Sequence, residues 1–359
     1  MKLGVISLGG ESSLHIIKEA AKYFDAAHHI DIRILEVHAS SDGLHVMARN
    51  KELKNFDCLY VRGSYKYRLM QRSVTRAFFH EAYLPIKPFA YAIGHNKFLT
   101  LLELLKAGIT IPKTYFAATT EAAKGILEDV QYPIIMKIPY GTQGKGVMVA
   151  DSLKAAKTML DALEVFKQPY LIQEYIETDS TDIRALVIGN TVIGMRRKAG
   201  LEELRANIHR GAKGTPCQLD PTLEQLALKS AKILKADVCA VDILEGRKPA
   251  VIEVNLSPGL AGITKATKMN VASLVAKHLA ERTKEFLTAK HAQKNEKAVP
   301  RVHPKKGREV LTTLDIRHGL IRLPKFVTDL SEFTMNDEIT LRVAKGKIEI
   351  IEHAIPQDD

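Results

Sequence analysis

IIMKIPYGTQGKGVMVA, residues 134–150, decides how this chain is read. Two β-rich runs, 133–138 and 147–150, flank a glycine-rich segment at 139–146, so the stretch predicts a hairpin and not the strand-to-helix turn of a phosphate loop. Gly141, Gly144 and Gly146 permit close backbone approach, letting several N–H groups face phosphate oxygens. Lys137 at the strand end and Lys145 in the loop add cationic donors. Glycine spacing alone describes an ordinary turn equally well, so the reading needs support from the rest of the chain.

That support begins downstream, in VCAVDIL (238–244) and VIEVNLSPG (251–259). Strand alternation puts Glu253 and Asn255 on one sheet face, and the EGRKP turn would bring Asp242 beside them. Two carboxylates and an amide oxygen are hard ligands suited to Mg²⁺ bridging phosphates. Between the two signals, DIRALVIGNTVIGMRRKAG (182–200) and LRANIHRGA (204–212) gather Arg184, Arg196, Arg197, Arg205, His209 and Arg210. Arginine suits bidentate recognition of carboxylate or phosphate, although a solvated basic face is the commoner role.

The first ninety residues alternate strand and helix patterns: strands at 3–8, 30–38 and 56–61, a helix at 12–24 and a helical patch at 76–83. This predicts a parallel sheet in an α/β domain. A helix over 97–106 follows, stopped at Gly108. From 132 onward, strands at 171–176, 183–188, 191–197, 238–244 and 250–254, with helices at 152–163, 223–234 and 271–286, predict an α+β domain on antiparallel sheet. Residues 281–310 hold nine basic and four acidic side chains with Pro300, Pro304 and Gly307, the pattern of a solvated linker. Beyond it, short alternating runs ending in a hairpin at Lys345–Gly346 predict a small β unit. The expected division is 1–90, 91–290 (a nucleotide lid at 132–170 and a catalytic core at 171–290), a basic linker at 291–309 and a β domain at 310–359.

Composition limits the function. The net charge of +11 and pI near 9.3 favour polyanionic partners such as nucleotides, acidic peptides or nucleic acid. Three cysteines (Cys58, Cys217, Cys239), with no CxxC or Cys/His cluster, exclude a disulfide scaffold and a structural zinc site. The first residues lack the pattern of a secretory signal, and no run reaches about 18 uninterrupted apolar residues. The expectation is a soluble protein of a reducing cytoplasm, with no membrane role.

The order of the motifs carries a resemblance. Lys97, then Lys137 with the glycine loop, then IQEYIETDSTDIR (172–184), RANIHRG (205–211) and EVNLSPGLAGI (253–263) resemble the ATP-grasp ligases, and within them the RimK-type glutamate ligases, over about residues 1–290. The fold implied is an α/β N-terminal domain plus α+β ATP-grasp domains, with a small all-β C-terminal appendage. The resemblance places Lys97 and Lys137 at the nucleotide phosphates and makes Gly141–Gly146 a mobile lid. Glu174, Tyr175 and Ile176 would hydrogen-bond adenine, Asp182 would sit near the ribose, and Arg205, Ala206 and Asn207 near the phosphates. Asp242, Glu253 and Asn255 would hold two Mg²⁺ ions, with Mn²⁺ an acceptable substitute. Arg184, Arg196 and Arg210 would serve substrate carboxylates or the transferred phosphoryl group, and Arg62 and Ser64 would face the acceptor. Ala206 and Ala212 depart from the family's RSNLHRGG stretch, which puts acceptor choice in doubt.

The activity implied is ATP-dependent carboxylate–amine ligation through an acylphosphate, adding glutamate to an acidic acceptor. Two alternatives stay open: another amino acid or peptide as amine donor, and a nucleotide-sensing regulator with a retired core. TLDIRHGLIRLPKF (313–326) with MNDEITLRVAKGKIEII (335–351) weakly resembles the AbrB-type swapped hairpin. Residues 311–359 carry six basic and nine acidic side chains, which disfavours nucleic acid and favours oligomerisation or partner docking. A homo-oligomer is the expectation.

Overall fold

The structure, a computed structural model, describes residues 1–141, 146–167, 169–198, 213–298, 315–317, 320–323, 339–344 and 347–352. They fall into two units, Met1–Glu296 and Lys297–Asp359.

The first unit opens with β1 (Lys2–Ser7), a turn at Gly9 and Gly10, α1 (Glu11–Ala20) and β2 (Ala26–Asp31), which lies parallel to β1. The single strand expected over 30–38 is in fact split between two sheets. Asp31 accepts the Arg33 N–H (2.9 Å), and a 3₁₀ turn at Ile32–Ile34 redirects the chain. An antiparallel meander follows: β3 (Leu35–Ser40), β4 (Gly43–Ala48) and β5 (Lys51–Glu52). Then β6 (Cys58–Val61) completes the parallel order β2-β1-β6. The helix expected at 76–83 lies earlier, as α2 (Arg68–Ala77). Phe78 and Tyr83 are buried all the same, so apolar spacing marked core there and misplaced the helix.

After α3 (Pro88–Ile93) comes α4 (Lys97–Lys106), capped by the Asn96 side chain and ended by Gly108 at φ +74°. The next segment builds a four-stranded antiparallel sheet. It comprises β7 (Thr114–Phe116), α5 (Thr120–Asp129), β8 (Ile134–Lys137), β9 (Val147–Ala150), α6 (Leu153–Val165) and β10 (Leu171–Glu174), in strand order β7-β10-β8-β9. The 134–150 hairpin forms as expected, Ile134 opposite Ala150 and Lys137 opposite Val147. This sheet and its two helices bury a core of their own, including Leu127, Met136, Leu160 and Ile172.

The larger sheet is also antiparallel, ordered β13-β12-β11-β14-β15. Its elements are β11 (Thr181–Ile188), β12 (Thr191–Lys198), β13 (Lys213–Cys217), α7 (Pro221–Ile233), β14 (Val238–Glu245) and β15 (Pro249–Asn255). Then follow α8 (Ala261–Thr267) and α9 (Val271–Ala298). Its core is continuous with that of the N-terminal sheet: Leu3, Tyr60, Leu84, Leu186, Val241, Leu256 and Leu279 belong to one buried cluster.

The basic run from 281 onward is helical as far as Ala298. Thr283 is buried and Phe286 packs on the core. Lys277–Glu281 and Arg282–Glu285 pair along the helix surface. Charge surplus on an exposed helical face therefore mimicked a linker; residues 299–310 lie outside the described residues. In the second unit β16 (Asp315–Arg317) pairs with β17 (Leu320–Arg322), and β18 (Ile339–Ala344) with β19 (Lys347–Glu352). Among the described residues no helix is long and apolar enough to cross a membrane.

Candidate active site

A two-residue turn at Gly189 and Asn190 fixes the β11–β12 register, and with it the site. It sets Asp182 opposite Arg197, β14 sets Asp242 opposite Arg184, and β15 sets Glu253 opposite Asp242. Paired residues, and residues two apart, share a face. Asp182, Arg184, Arg197, Asp242, Glu253 and Asn255 thus project from one side of the five-stranded sheet.

Their charges are heavily paired. The Asp242 carboxylate is only 1% exposed. It accepts two hydrogen bonds from Arg184, at 2.8 and 2.7 Å, and lies 3.1 Å from Arg197 Nη2. Arg197 also forks onto Asp182. Burial works against charge on both guanidiniums, yet the facing carboxylates override it and hold them above their ordinary pKa. Glu253 receives Lys97 Nζ at 3.3 Å, and the same ammonium donates to the Gly141 carbonyl at 3.2 Å. Asn255 Oδ1 accepts the Ser257 N–H at 3.1 Å.

Lys137 projects from the four-stranded sheet and donates to Gln173 Oε1 at 2.7 Å. Burial lowers its pKa to about 8; Lys97 pushes the same way, and Glu253 opposes them. His95, bonded to Gln71 Oε1 at 2.7 Å, is driven down to about 4 by burial and by Arg68, so its ring is neutral at neutral pH. The thiols of Cys58 and Cys239 are pushed up to about 12 by burial, which leaves both inert as nucleophiles.

Two cavities meet among these groups. The smaller, about 130 Å³, is a slot between the sheets walled by Ile135, Val147, Leu244 and Ile252 and closed by the Glu174–Tyr175–Ile176 backbone. Apolar faces with a backbone edge suit a planar heterocycle. Glu174 is anchored there, its carboxylate accepting the Lys113 N–H at 2.7 Å, and Asp182 lines the same slot. The larger cavity, about 490 Å³, is lined by serines and charged side chains among apolar surface, and reaches the N-terminal sheet at Ser7. Lys97, Arg197 and Glu253 line both. An adenine in the slot would direct its phosphates to that junction.

Glu253 and Asn255 line the larger cavity, and Asp242 lies beside them on the same face with both oxygens accepting from Arg184; these are hard oxygen donors of the kind Mg²⁺ takes, and an ion there would fill its shell from phosphate and water. Among the described residues no three His, Cys, Asp or Glu side chains converge on a metal position. The protein alone therefore offers a half-shell, the usual arrangement where substrate phosphates provide the rest.

Other expected residues fare differently. Gly146 holds φ +77°, and a Cβ there would sit 2.6 Å from Ile138 Cγ1, so the hairpin requires glycine at this position. Arg62 and Ser64 line the larger cavity. The Arg62 guanidinium, however, is spent on the Pro258 carbonyl (2.7 Å) and the Tyr60 hydroxyl (3.2 Å). Arg196 lies on the opposite sheet face, paired with Glu245, and lines neither cavity. Gly144, Lys145, Arg205, Ala206, Asn207 and Arg210 lie outside the described residues. Sequence reading passed over Arg197 as a site residue. The Gly189–Asn190 dipeptide was the signal, since a two-residue turn there pairs position 182 with 197. It also missed Gln173, and Tyr65 stacked on Tyr140 at 6.2 Å beside the glycine segment.

The RimK-like ATP-grasp domain family matches residues 94–279. A "Probable alpha-L-glutamate ligase" of Syntrophotalea carbinolica is 34% identical over 291 residues, 79% of this chain and 97% of that protein. A protein of the same name from Cellvibrio japonicus is 30% identical over 297 residues, 81% of this chain and 99% of its own. Among solved structures, the ATP-grasp ligase PsnB with a phosphomimetic precursor variant, Mg and ADP superposes with TM-score 0.63 at 15% identity, covering 79% of this chain and 98% of PsnB. The macrocyclase MdnC of Microcystis aeruginosa with precursor peptide MdnA gives 0.61 at 17%, covering 78% and 100%. At such identities these two establish the fold. With a family match over more than half its length and relatives covered almost end to end, the chain belongs to the RimK-like ATP-grasp ligases.

Proposed function

We propose that this ligase joins the amine of L-glutamate to a carboxylate of an acidic acceptor, with ADP and phosphate as the other products. The observation that carries the reading is the junction of the two cavities at Lys97, Arg197 and Glu253. It would let a nucleotide in the slot present its γ-phosphoryl group to a carboxylate in the larger cavity. The donor is suggested by relatives named alpha-L-glutamate ligases, and the acidic acceptor agrees with the +11 charge.

In this reading, phosphoryl transfer to the acceptor carboxylate gives an acylphosphate and ADP, and attack by the amine then expels phosphate. Lys97 and Lys137 hold phosphate oxygens. Arg184 and Arg197 keep Asp242 ionised and offset charge developing on the transferred group. Gln173 orients Lys137, and the 174–176 backbone reads the adenine edge. Asp242, Glu253 and Asn255 would hold two Mg²⁺ ions, or Mn²⁺ in their place, which would supply charge neutralisation to the phosphates. Arg205, Ala206, Asn207 and Arg210 are assigned to phosphate or substrate contacts by family resemblance, and Ser64 to the acceptor side.

The working division is an N-terminal domain at 1–90, an ATP-grasp domain from 91 that takes in helix α9, and a separate C-terminal unit, in a cytoplasmic enzyme. The second unit is assigned to self-association, in keeping with the AbrB-type resemblance. Leu341, Val343, Ile348 and Ile350 share one face of its β18–β19 hairpin and are exposed. A lone two-stranded hairpin is marginal in water.

The test is mass spectrometry of products. Protein, Mg-ATP and labelled glutamate are incubated with a small-molecule extract and, separately, with an acidic-protein fraction. The expected result is a labelled glutamyl adduct with matching ADP release. Adducts with another amino acid only would replace the donor. No adduct with any amino acid, while nucleotide still binds, would favour a regulatory role.

A further inference from the structure

The wall of the larger cavity opposite the catalytic sheet is built by the β1–α1 turn, which no ligase role yet uses. Gly10 is the N-cap of α1, and no side chain caps the helix. The Gly10 carbonyl accepts the Ser13 and Leu14 N–H groups, at 2.9 and 3.2 Å. The N–H groups of Glu11 and Ser12, at the first two helical positions, have no intrahelical acceptor and carry the positive end of the helix. The ten-residue helix opens onto the cavity through Gly10 and Ser13.

Three further observations bear on this corner. Ser13 is 5% exposed and lines the cavity, and among the described residues its hydroxyl has no hydrogen-bond partner. At the third helical position its side chain leans back toward the helix start. Its neighbour contrasts with it, for Ser12 Oγ accepts the Leu260 N–H at 2.9 Å. Gly10 and Gly259 both line the cavity, and a Cβ on either would meet nothing within 4 Å. Finally, the corner is held rigidly: Leu260 N–H to Ser12, Gly63 N–H to Ser257 Oγ (3.0 Å) and Arg62 to the Pro258 carbonyl tie turn, sheet and catalytic loop together.

We propose that Gly10, the free N–H groups of the first turn of α1 and the Ser13 hydroxyl form a subsite for a substrate carboxylate other than the one that reacts. The donors of the corner itself, backbone N–H groups and a hydroxyl, are neutral, and the guanidinium of Arg62 is turned to the Pro258 carbonyl and the Tyr60 hydroxyl. They match one singly charged, planar group and not a polyphosphate. Either the α-carboxylate of the amine donor or a second carboxylate of the acceptor has that chemistry. The inference rests on the ligase reading for its substrates.

The experiment measures binding to the full chain loaded with Mg-ADP. The probes are L-glutamate against its α-amide, isoglutamine, and a peptide ending in two glutamates with a free against an amidated C-terminus. Ser13→Ala should weaken one free acid about tenfold while leaving the matching amide and the nucleotide unchanged. The pair that responds identifies which substrate the subsite reads. Ser13→Thr, which keeps the hydroxyl, should restore the preference. Gly10→Val tests the same corner by filling it; its backbone, φ −65° and ψ 152°, accepts any side chain, so the variant should fold and lose the same acid. Equal acid-to-amide preference in wild type and both variants would overturn the subsite. So would a wild type that distinguishes neither acid from its amide. The labelled-glutamate assay is judged separately: failure there, with a Ser13-dependent acid preference intact, removes glutamate as donor and leaves the subsite standing.

Discussion

The two antiparallel sheets that face each other across the smaller cavity are built on different terms. The five-stranded sheet shares one continuous core with the N-terminal parallel sheet, and its charged face is a closed network in which each carboxylate already has a cation. The four-stranded sheet encloses a small core of its own and brings the buried Lys137. We expect the first to act as a fixed template and the second, whose core is separate, to shift against it. A ligase that must admit ATP and then exclude water from an acylphosphate needs one of each.

The sharpest way to break this contrast is Asp242→Ala. It strands Arg184, whose two bonds both go to Asp242, and leaves Arg197 with Asp182 alone; the expected cost is about 3–5 kcal/mol of global stability, read by chemical denaturation. Turnover should vanish with it. Glu253→Ala separates chemistry from stability. Its carboxylate is partly exposed, so the unfolding midpoint should barely move while turnover falls on the order of a thousandfold. Unchanged turnover would remove Glu253 from the metal set.

Leu160→Ala and Leu186→Ala compare the two cores directly. Each should cost about 3 kcal/mol of packing. The Leu186 variant should lower the single main unfolding transition. The Leu160 variant should instead raise hydrogen exchange across 114–174 and weaken nucleotide binding with little change in that transition. A uniform shift in both would merge the two regions into one.

A smaller effect concerns Lys137. Its folded pKa lies near 8, below the ordinary 10.5, so the free protein carries the charge below pH 8 and loses it above. Phosphates bind the charged form. Nucleotide affinity should therefore fall about tenfold from pH 7 to pH 9, with proton uptake on binding at the higher pH. Lys137→Arg, charged throughout, should flatten that dependence in calorimetry. Least of all, Arg196→Ala should leave turnover within about twofold, because its exposed pair with Glu245 lies away from both cavities.

Much of this was legible in the chain itself. The 134–150 hairpin, the helix at 97–106 and the strands carrying Asp242 and Glu253 follow from local pattern and turn chemistry. What escaped were facts of partnership. Arg62 reads as a surface cation after a strand, yet it is buried and hydrogen-bonded to a carbonyl 196 positions away. Arg196 and Arg197 are equivalent in composition, and only hairpin register sends one to the site and its neighbour to the far face. The basic stretch after 281 looks like a tether until the burial of Thr283 shows one side of it to be core.

The clasp between Arg62, Gly63 and the Ser257–Gly259 loop bears on how such enzymes diversify. Exchanging N-terminal domains between relatives is an obvious route to new acceptors. A crossover near residue 90 would leave the incoming domain facing a loop it did not evolve with, and a buried guanidinium without its carbonyl. Functional chimeras of this chain should therefore have to carry residues 257–260 along with the first ninety, as a single heritable module assembled from two distant pieces of sequence.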